Sequence, residues 1–198
     1  MVQKLQDIKP ADAHAGNAKP KDPVQAEYED GKRYLEKNDL GQAAAALHNA
    51  LLGYEERIEL KGIANASNQL AQVCLKRKDY QQAEKHLLRV SEICREMKDA
   101  MSIVMVDKQL VEVYQGLGKF AAALDTCLDL FDWYTANNDP QGTVGILETM
   151  AEMYLESHEP LKAADAYRTI ASIHRNYKHQ NIAERYMAQA EALEKKVH

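Results

Sequence analysis

A pattern of small and apolar residues recurs in this chain at a fixed interval of 40 residues. A small residue stands three positions before Tyr or Cys in Gly31/Tyr34, Ala71/Cys74, Val111/Tyr114 and Ala151/Tyr154. Three further columns keep the same interval: Ala43, Ala83, Ala123 and Ala163; Leu47, Leu87, Cys127 and Tyr167; Ala50, Val90, Leu130 and Ile170. The register holds through four copies without an insertion. Such self-similarity is typical of proteins built by stacking one supersecondary unit.

Each copy is predicted to form two antiparallel helices of about 17 residues joined by a short turn. In the third copy, Ile103, Val106 and Leu110 recur at spacings of three and four, which place them on one helical face. Polar breaks interrupt these apolar stripes at matching positions of the repeat. Four of the breaks contain an aspartate that can cap the following helix: Asp39, Asp79, Asp99 and Asp139.

The ends of the chain differ from the repeats. Residues 1–23 contain three prolines and few apolar residues, so we expect a flexible N-terminal tail. The repeats are predicted at about 24–60, 61–98, 99–138 and 139–177. Residues 178–198 continue the register as one helix, in which Glu191 and Glu194 replace the small residue and the Tyr. A polar outer face of this kind is what the terminal cap of a solenoid requires.

Composition excludes several classes of protein. The longest apolar runs are a few residues, far short of the roughly 20 that cross a bilayer, so no membrane association is expected. A net charge of −5 argues against nucleic-acid binding, which needs a basic surface. The three cysteines form no C-x-x-C pair, which predicts neither a zinc site nor a disulfide framework and favours a cytoplasmic location.

The sequence contains no constellation that indicates catalysis, a cofactor or a metal. No Gly-rich phosphate loop, H-E-x-x-H or G-x-S-x-G motif is present. His174 and His179 are five residues apart and do not share a helical face, so metal binding is not expected there. Glu148, Glu152 and Glu156 lie along one helix face, for which a solvated stripe is the simpler explanation. We therefore predict that the protein is not an enzyme.

The order and spacing of these columns resemble the tetratricopeptide repeat (TPR) family over residues 24–177. At 40 residues the repeats exceed the usual length of about 34 and are similar to the long repeats of kinesin light chains and related scaffold proteins. We expect the extra length in the second helix and the turn after it. The early Trp of the family is absent, and Glu27, Ser67, Asp107 and Leu147 occupy its column. The resemblance implies an all-α, right-handed α-solenoid of four TPR helix pairs plus a C-terminal capping helix.

The resemblance also implies a binding site, because the first helices of TPR units line a concave groove. The residues expected to face this groove and bind a ligand are Tyr28, Lys32, Asn65, Asn68, Gln72, Lys108, Glu112, Glu148 and Glu152. The family's carboxylate clamp is not expected, since Lys32 is the one basic residue left at its positions. Asn65, Asn68 and Gln72 share a face and can bond an extended peptide backbone, although plain surface polarity explains them equally well.

Charge distribution indicates what kind of partner such a groove would accept. Residues 121–165 contain nine acidic residues and a single base, Lys162. An acidic segment steers a basic partner towards itself. The predicted function is a non-enzymatic scaffold that binds a peptide or partner protein carrying basic residues in the concave groove. Two alternatives stay open: a self-associating structural subunit of an assembly, and a chaperone or adaptor for an exported client.

Overall fold

A computed structural model describes residues 22–195, and within that range the chain forms nine α-helices and no strand. The helices are α1 (Pro23–Glu36), α2 (Leu40–Glu56), α3 (Leu60–Lys76), α4 (Tyr80–Glu96), α5 (Ala100–Gly116), α6 (Phe120–Ala136), α7 (Pro140–Glu156), α8 (Pro160–Asn176) and α9 (Gln180–Glu194). Each helix packs mainly against the helices before and after it in the chain. The all-α solenoid predicted from the repeat is therefore confirmed.

The turns between helices share one hydrogen-bonded geometry. In the turn from α1 to α2, the Asn38 N–H donates to the Leu35 carbonyl at 3.0 Å and the Asp39 N–H donates to the Tyr34 carbonyl at 2.9 Å. This is the Schellman pattern, which requires a left-handed residue between the helices. Asp39 then accepts from the Gln42 N–H at 3.2 Å, so one residue closes α1 and caps α2. The predicted caps Asp39, Asp79, Asp99 and Asp139 are all confirmed.

The repeat columns form the core, as the sequence predicts. The alanine column is completely buried: Ala43, Ala83, Ala123 and Ala163. Leu47, Leu87 and Cys127 are also fully buried, whereas Tyr167 in the same column is half-buried. Gly31 shows why the first column needs small residues, because a Cβ there would lie 2.6 Å from Cγ of Leu47.

The extra length of the repeat is not confined to the second helix, so that expectation is wrong. Helices α3 to α8 each contain 17 residues. The turn within a repeat and the turn between repeats each contain three residues. The additional residues of the 40-residue repeat are therefore shared equally between the first and the second helix, which pack along the same core.

Only part of each predicted terminal segment is described. Of the tail expected at 1–23, residues 1–21 lie outside the described residues, Asp22 caps α1 and Pro23 begins it. In α9, Ala183 and Ala190 are buried, while Tyr186 and Leu193 pack against the core of the last repeats. Residues 196–198 also lie outside the described range. No helix within 22–195 is long and apolar enough to traverse a lipid bilayer.

Candidate binding face

The odd-numbered helices approach one another on one side of the solenoid. Three cavities open on this side: one of about 160 Å³ between α3 and α5, one of about 500 Å³ between α5 and α7, and one of about 580 Å³ between α7, the end of α8 and the turn before α9. We call these the α3–α5, α5–α7 and α7–α9 cavities. The outward side chains of α1, α3, α5, α7 and α9 together are called the odd-helix face.

Amide side chains line the α3–α5 cavity. Asn65 is exposed and Asn68 is half-buried beside it. The Oδ1 atom of Asn68 accepts a hydrogen bond from Nε2 of Gln109 at 3.1 Å, which joins α3 to α5. Oε1 of Gln109 is buried and has no protein partner among the described residues. Met105 borders the same cavity with 64% of its surface exposed. The cavity therefore offers amide groups beside an exposed, flexible apolar side chain.

Two glycines of α7, Gly142 and Gly145, line the α5–α7 cavity. Lys108 lies at its wall, with Nζ at 5.9 Å from the centroid of the Tyr134 ring, within the range of a cation–π contact. Gly142 is needed here because a Cβ at this position would overlap Cδ1 of Tyr134. Packing does not require glycine at position 145, since a Cβ there would meet no atom within 4 Å. Gly145 is exposed and also lines the α7–α9 cavity.

Glu148 and aromatic rings line the α7–α9 cavity. The hydroxyl of Tyr186 on α9 donates a hydrogen bond to Oε1 of Glu148 on α7. Burial, together with this hydrogen bond, raises the pKa of Tyr186 to about 12, so the hydroxyl stays a donor at neutral pH. His174 and His179 stand at the opposite wall, where their Nδ1 atoms are 3.4 Å apart.

The remaining predicted site residues line none of these three cavities. On α1, Nζ of Lys32 lies 5.4 Å from the Tyr28 ring centroid and 3.5 Å from Oε2 of Glu29. Tyr28 is half-buried, with its ring edge-on to that of Tyr54 at 6.3 Å. The other three are Gln72, which is half-buried, and Glu112 and Glu152, which are exposed. The structure thus groups Asn65 with Asn68 and brings Lys108 and Glu148 to neighbouring cavities.

Two sequence interpretations need correction. Glu148 is not part of a plain solvated stripe, because it is half-buried and bonded to Tyr186. His174 and His179 do meet, because α8 ends at Asn176 and the turn reverses the chain between them. Among the described residues, no group of three or more His, Cys, Asp or Glu side chains is arranged to hold a metal ion.

The set of residues predicted to bind a ligand does not include five that line the two larger cavities: Tyr134, Gly145, His174, Tyr177 and His179. Of these, Gly145 carried a usable signal, since a glycine at an exposed position in mid-helix costs about 1 kcal/mol relative to alanine. The others become neighbours only when helices and turns are placed in space.

Comparisons with known proteins agree with this architecture. No protein-family model matches the sequence, and no curated protein matches it significantly. The apo form of RapI superposes with a TM-score of 0.61 at 10% identity, covering 91% of this chain and 87% of that chain. MamA (MSR-1, C2) gives a TM-score of 0.52 at 14% identity, with coverages of 89% and 100%. The TPR-like repeats of a kinesin light chain-like protein from Podosopora anserina give 0.49 at 16% identity, with coverages of 90% and 99%. At TM-scores of 0.61 and 0.52, the chain shares the helical-repeat fold of RapI and MamA, which are TPR-like proteins.

Proposed function

We propose that this protein is a non-enzymatic interaction scaffold whose odd-helix face binds a partner protein or an extended peptide carrying basic residues. One observation carries the proposal: three cavities follow one another along α3, α5 and α7 to the turn before α9. Their walls hold amide, hydroxyl and carboxylate groups that the core does not need. A row of such sites suits a linear ligand that meets one helix after another.

The amide groups supply contacts to the ligand backbone. Asn65 is exposed at the α3–α5 cavity and takes part in no hydrogen bond within the described residues. Asn68 uses its Oδ1 to accept from Gln109, which leaves its amide hydrogens for a ligand carbonyl. Side-chain amides can both donate to and accept from an extended peptide, so they favour backbone over side-chain recognition.

The carboxylates supply selection for charge. Glu112 on α5 and Glu152 on α7 are exposed on the odd-helix face, within or close to the acidic segment 121–165. Each exposed ion pair contributes only about 0.2–1 kcal/mol, so affinity would come from several contacts and fall as salt is added. The acidic field would also raise the association rate of a basic ligand.

A displayed library of random 12-residue peptides tests this proposal. Selected peptides are synthesised, and their dissociation constants are measured by fluorescence polarisation at several salt concentrations. The proposal predicts that E112K with E152K weakens binding much more than the matched pair D125K with D132K on α6. Both control residues are exposed, and both pairs change the net charge equally.

Three results would contradict the proposal. Equal loss from the two pairs would mean that long-range attraction alone drives binding. No loss from either pair would place the ligand elsewhere on the molecule. Selected peptides without basic residues would refute the charge preference while leaving the scaffold function in place.

Self-association is a second candidate function, and one observation favours it. Leu88 on α4 and Leu128 on α6 occupy the same position in successive repeats, and both are exposed. Exposed leucines repeated along the even helices could pack against another copy of the chain. Sedimentation velocity over a range of concentrations tests this, with L88Q combined with L128Q as the variant. A concentration-dependent dimer that the double variant abolishes supports self-association, whereas a monomer at all concentrations excludes it.

A further inference from the structure

The α7–α9 cavity differs from the other two in its charge. Glu148 is the one Asp or Glu among the residues that line it, and no Lys or Arg is among them. Pro140, Val144 and Ile173 give the rest of the wall an apolar character. At about 580 Å³ the cavity lies within the range of about 300–1,000 Å³ that is usual for ligand pockets. It therefore places one acidic side chain beside apolar and aromatic side chains.

Five rings form a continuous row, of which Tyr177, His179 and His174 line this cavity. Tyr177 and His179 lie 6.4 Å apart, and His179 and His174 lie 5.7 Å apart between ring centroids. His174 stacks on Tyr186 at 5.8 Å with an angle of 4° between the planes, and Tyr186 lies 6.0 Å from Tyr167. The fold does not bury the outer end of this row, because 55% of the Tyr177 surface is exposed. An exposed face of aromatic rings is suited to stacking with a planar group.

The carboxylate of Glu148 is held in a fixed position beside the rings. Its Oε1 accepts from the Tyr186 hydroxyl, which connects the carboxylate to this row of rings. Its Oε2 accepts no hydrogen bond from any residue in the range 22–195. The cavity thus presents one available carboxylate oxygen next to aromatic faces, before any ligand is bound.

We infer that the α7–α9 cavity binds the guanidinium group of an arginine side chain of the partner. This inference rests on the proposed function of the odd-helix face and names the residue type that it selects. A guanidinium is planar, stacks on aromatic rings and donates directed hydrogen bonds to a carboxylate. A lysine ammonium fits less well, because it is compact and strongly hydrated and has no flat face to stack.

The test uses small probes on the full chain. ¹H–¹⁵N spectra are recorded while N-acetyl-arginine amide is added, and the titration is repeated with the citrulline and lysine analogues. Citrulline has nearly the shape of arginine but no charge. We expect saturable shifts of amides around Glu148, Ile173 and Tyr177 with the arginine compound, a dissociation constant in the millimolar range, and at least about fivefold weaker binding of both analogues.

Variants identify the groups responsible. E148Q keeps an acceptor for Tyr186 but removes the charge, and we expect about tenfold weaker binding of the arginine compound. E156Q removes a charge two turns later on the same helix, at an exposed residue that lines none of the three cavities, and serves as the matched control, with less than twofold change. Y177A removes an exposed ring outside the core and should weaken binding while the circular dichroism spectrum stays unchanged.

The outcomes separate this inference from the proposed function. Equal binding of arginine and citrulline compounds, shifts confined to other parts of the chain, or equal effects of E148Q and E156Q would overturn the arginine site. The scaffold function would then still stand if selected peptides lost affinity with E112K and E152K. Conversely, an arginine site without peptide binding to the odd-helix face would overturn the scaffold function alone.

Discussion

Replacing Ile58 with glycine should stabilise the protein. Ile58 occupies the turn between α2 and α3 with φ 54°, in the left-handed region that β-branched residues rarely adopt. Its side chain is 82% exposed, so the substitution removes little buried apolar surface. The equivalent turn positions are Asn38, Lys78, Lys98, Gly118, Asn138, His158 and Lys178, and none of these is β-branched.

The size of the effect follows from two opposing terms. The left-handed conformation costs an L-residue about 1–2 kcal/mol, which glycine does not incur. Glycine also makes the unfolded chain more flexible, which offsets about 0.4–1 kcal/mol of that gain. I58G should therefore raise the free energy of unfolding by about 1 kcal/mol and the melting temperature by about 2–4 °C.

Urea unfolding followed by circular dichroism measures this change. K78G is the matched control, because Lys78 has φ 57° in the equivalent turn but an unbranched side chain. The control should gain less than I58G, and N138G should gain little, since asparagine tolerates this conformation. Equal gains from I58G and K78G would refute the assignment of strain to β-branching. A loss of stability from I58G would show that the isoleucine side chain makes a stabilising contact.

Three further predictions concern α7, α9 and the core. G142A should destabilise the protein by about 1–3 kcal/mol because the added Cβ overlaps the Tyr134 ring. G145A should stabilise the protein by up to about 1 kcal/mol because its Cβ meets no atom and alanine favours the helix. Urea unfolding of both variants measures these changes, and equal effects would contradict the prediction. The pKa of Tyr186 is raised to about 12 in the folded state, so the contribution of this group to stability is complete below pH 10 and is lost between pH 10 and 12. Y186F should therefore show a shallower fall of the unfolding free energy between pH 10 and 12. An unchanged slope would count against the hydrogen bond. Burial raises the pKa of the Cys127 thiol to about 12, so mass spectrometry should find it unmodified by iodoacetamide in native protein, and rapid labelling would mean that the core opens.

The helices and turns could be predicted from the sequence because their determinants are local. Asp39 caps α2 through a bond to Gln42, three residues away, so the pattern needs no knowledge of the rest of the fold. The buried alanine and leucine columns could be predicted as well, since each repeat presents them at the same helical positions. The length of about 17 residues for both helices could also be predicted, because the polar breaks mark where each helix ends. The expectation that the extra length lies in the second helix is wrong because it rests on total repeat length, which does not locate the ends of helices.

The binding face was harder to predict because its contacts join helices that are distant in sequence. Asn68 and Gln109 are 41 residues apart, and Glu148 and Tyr186 are 38 apart. Both separations are close to one repeat, so the period was the signal that could have suggested these pairs. The meeting of His174 with His179 depends instead on the turn after α8, which brings together two residues that one continuous helix would keep on different faces.

The central claim is that an extended basic peptide lies along the odd-helix face, and one measurement tests it most directly. A peptide selected from the library carries a nitroxide spin label, and broadening of ¹H–¹⁵N signals is recorded along the full chain. The account predicts strong broadening on α3, α5 and α7, at amides near Asn65, Lys108 and Glu152, and little near Leu88 on α4 or Asp125 on α6. Broadening centred on α4 and α6 would contradict the account and place the partner on the even helices.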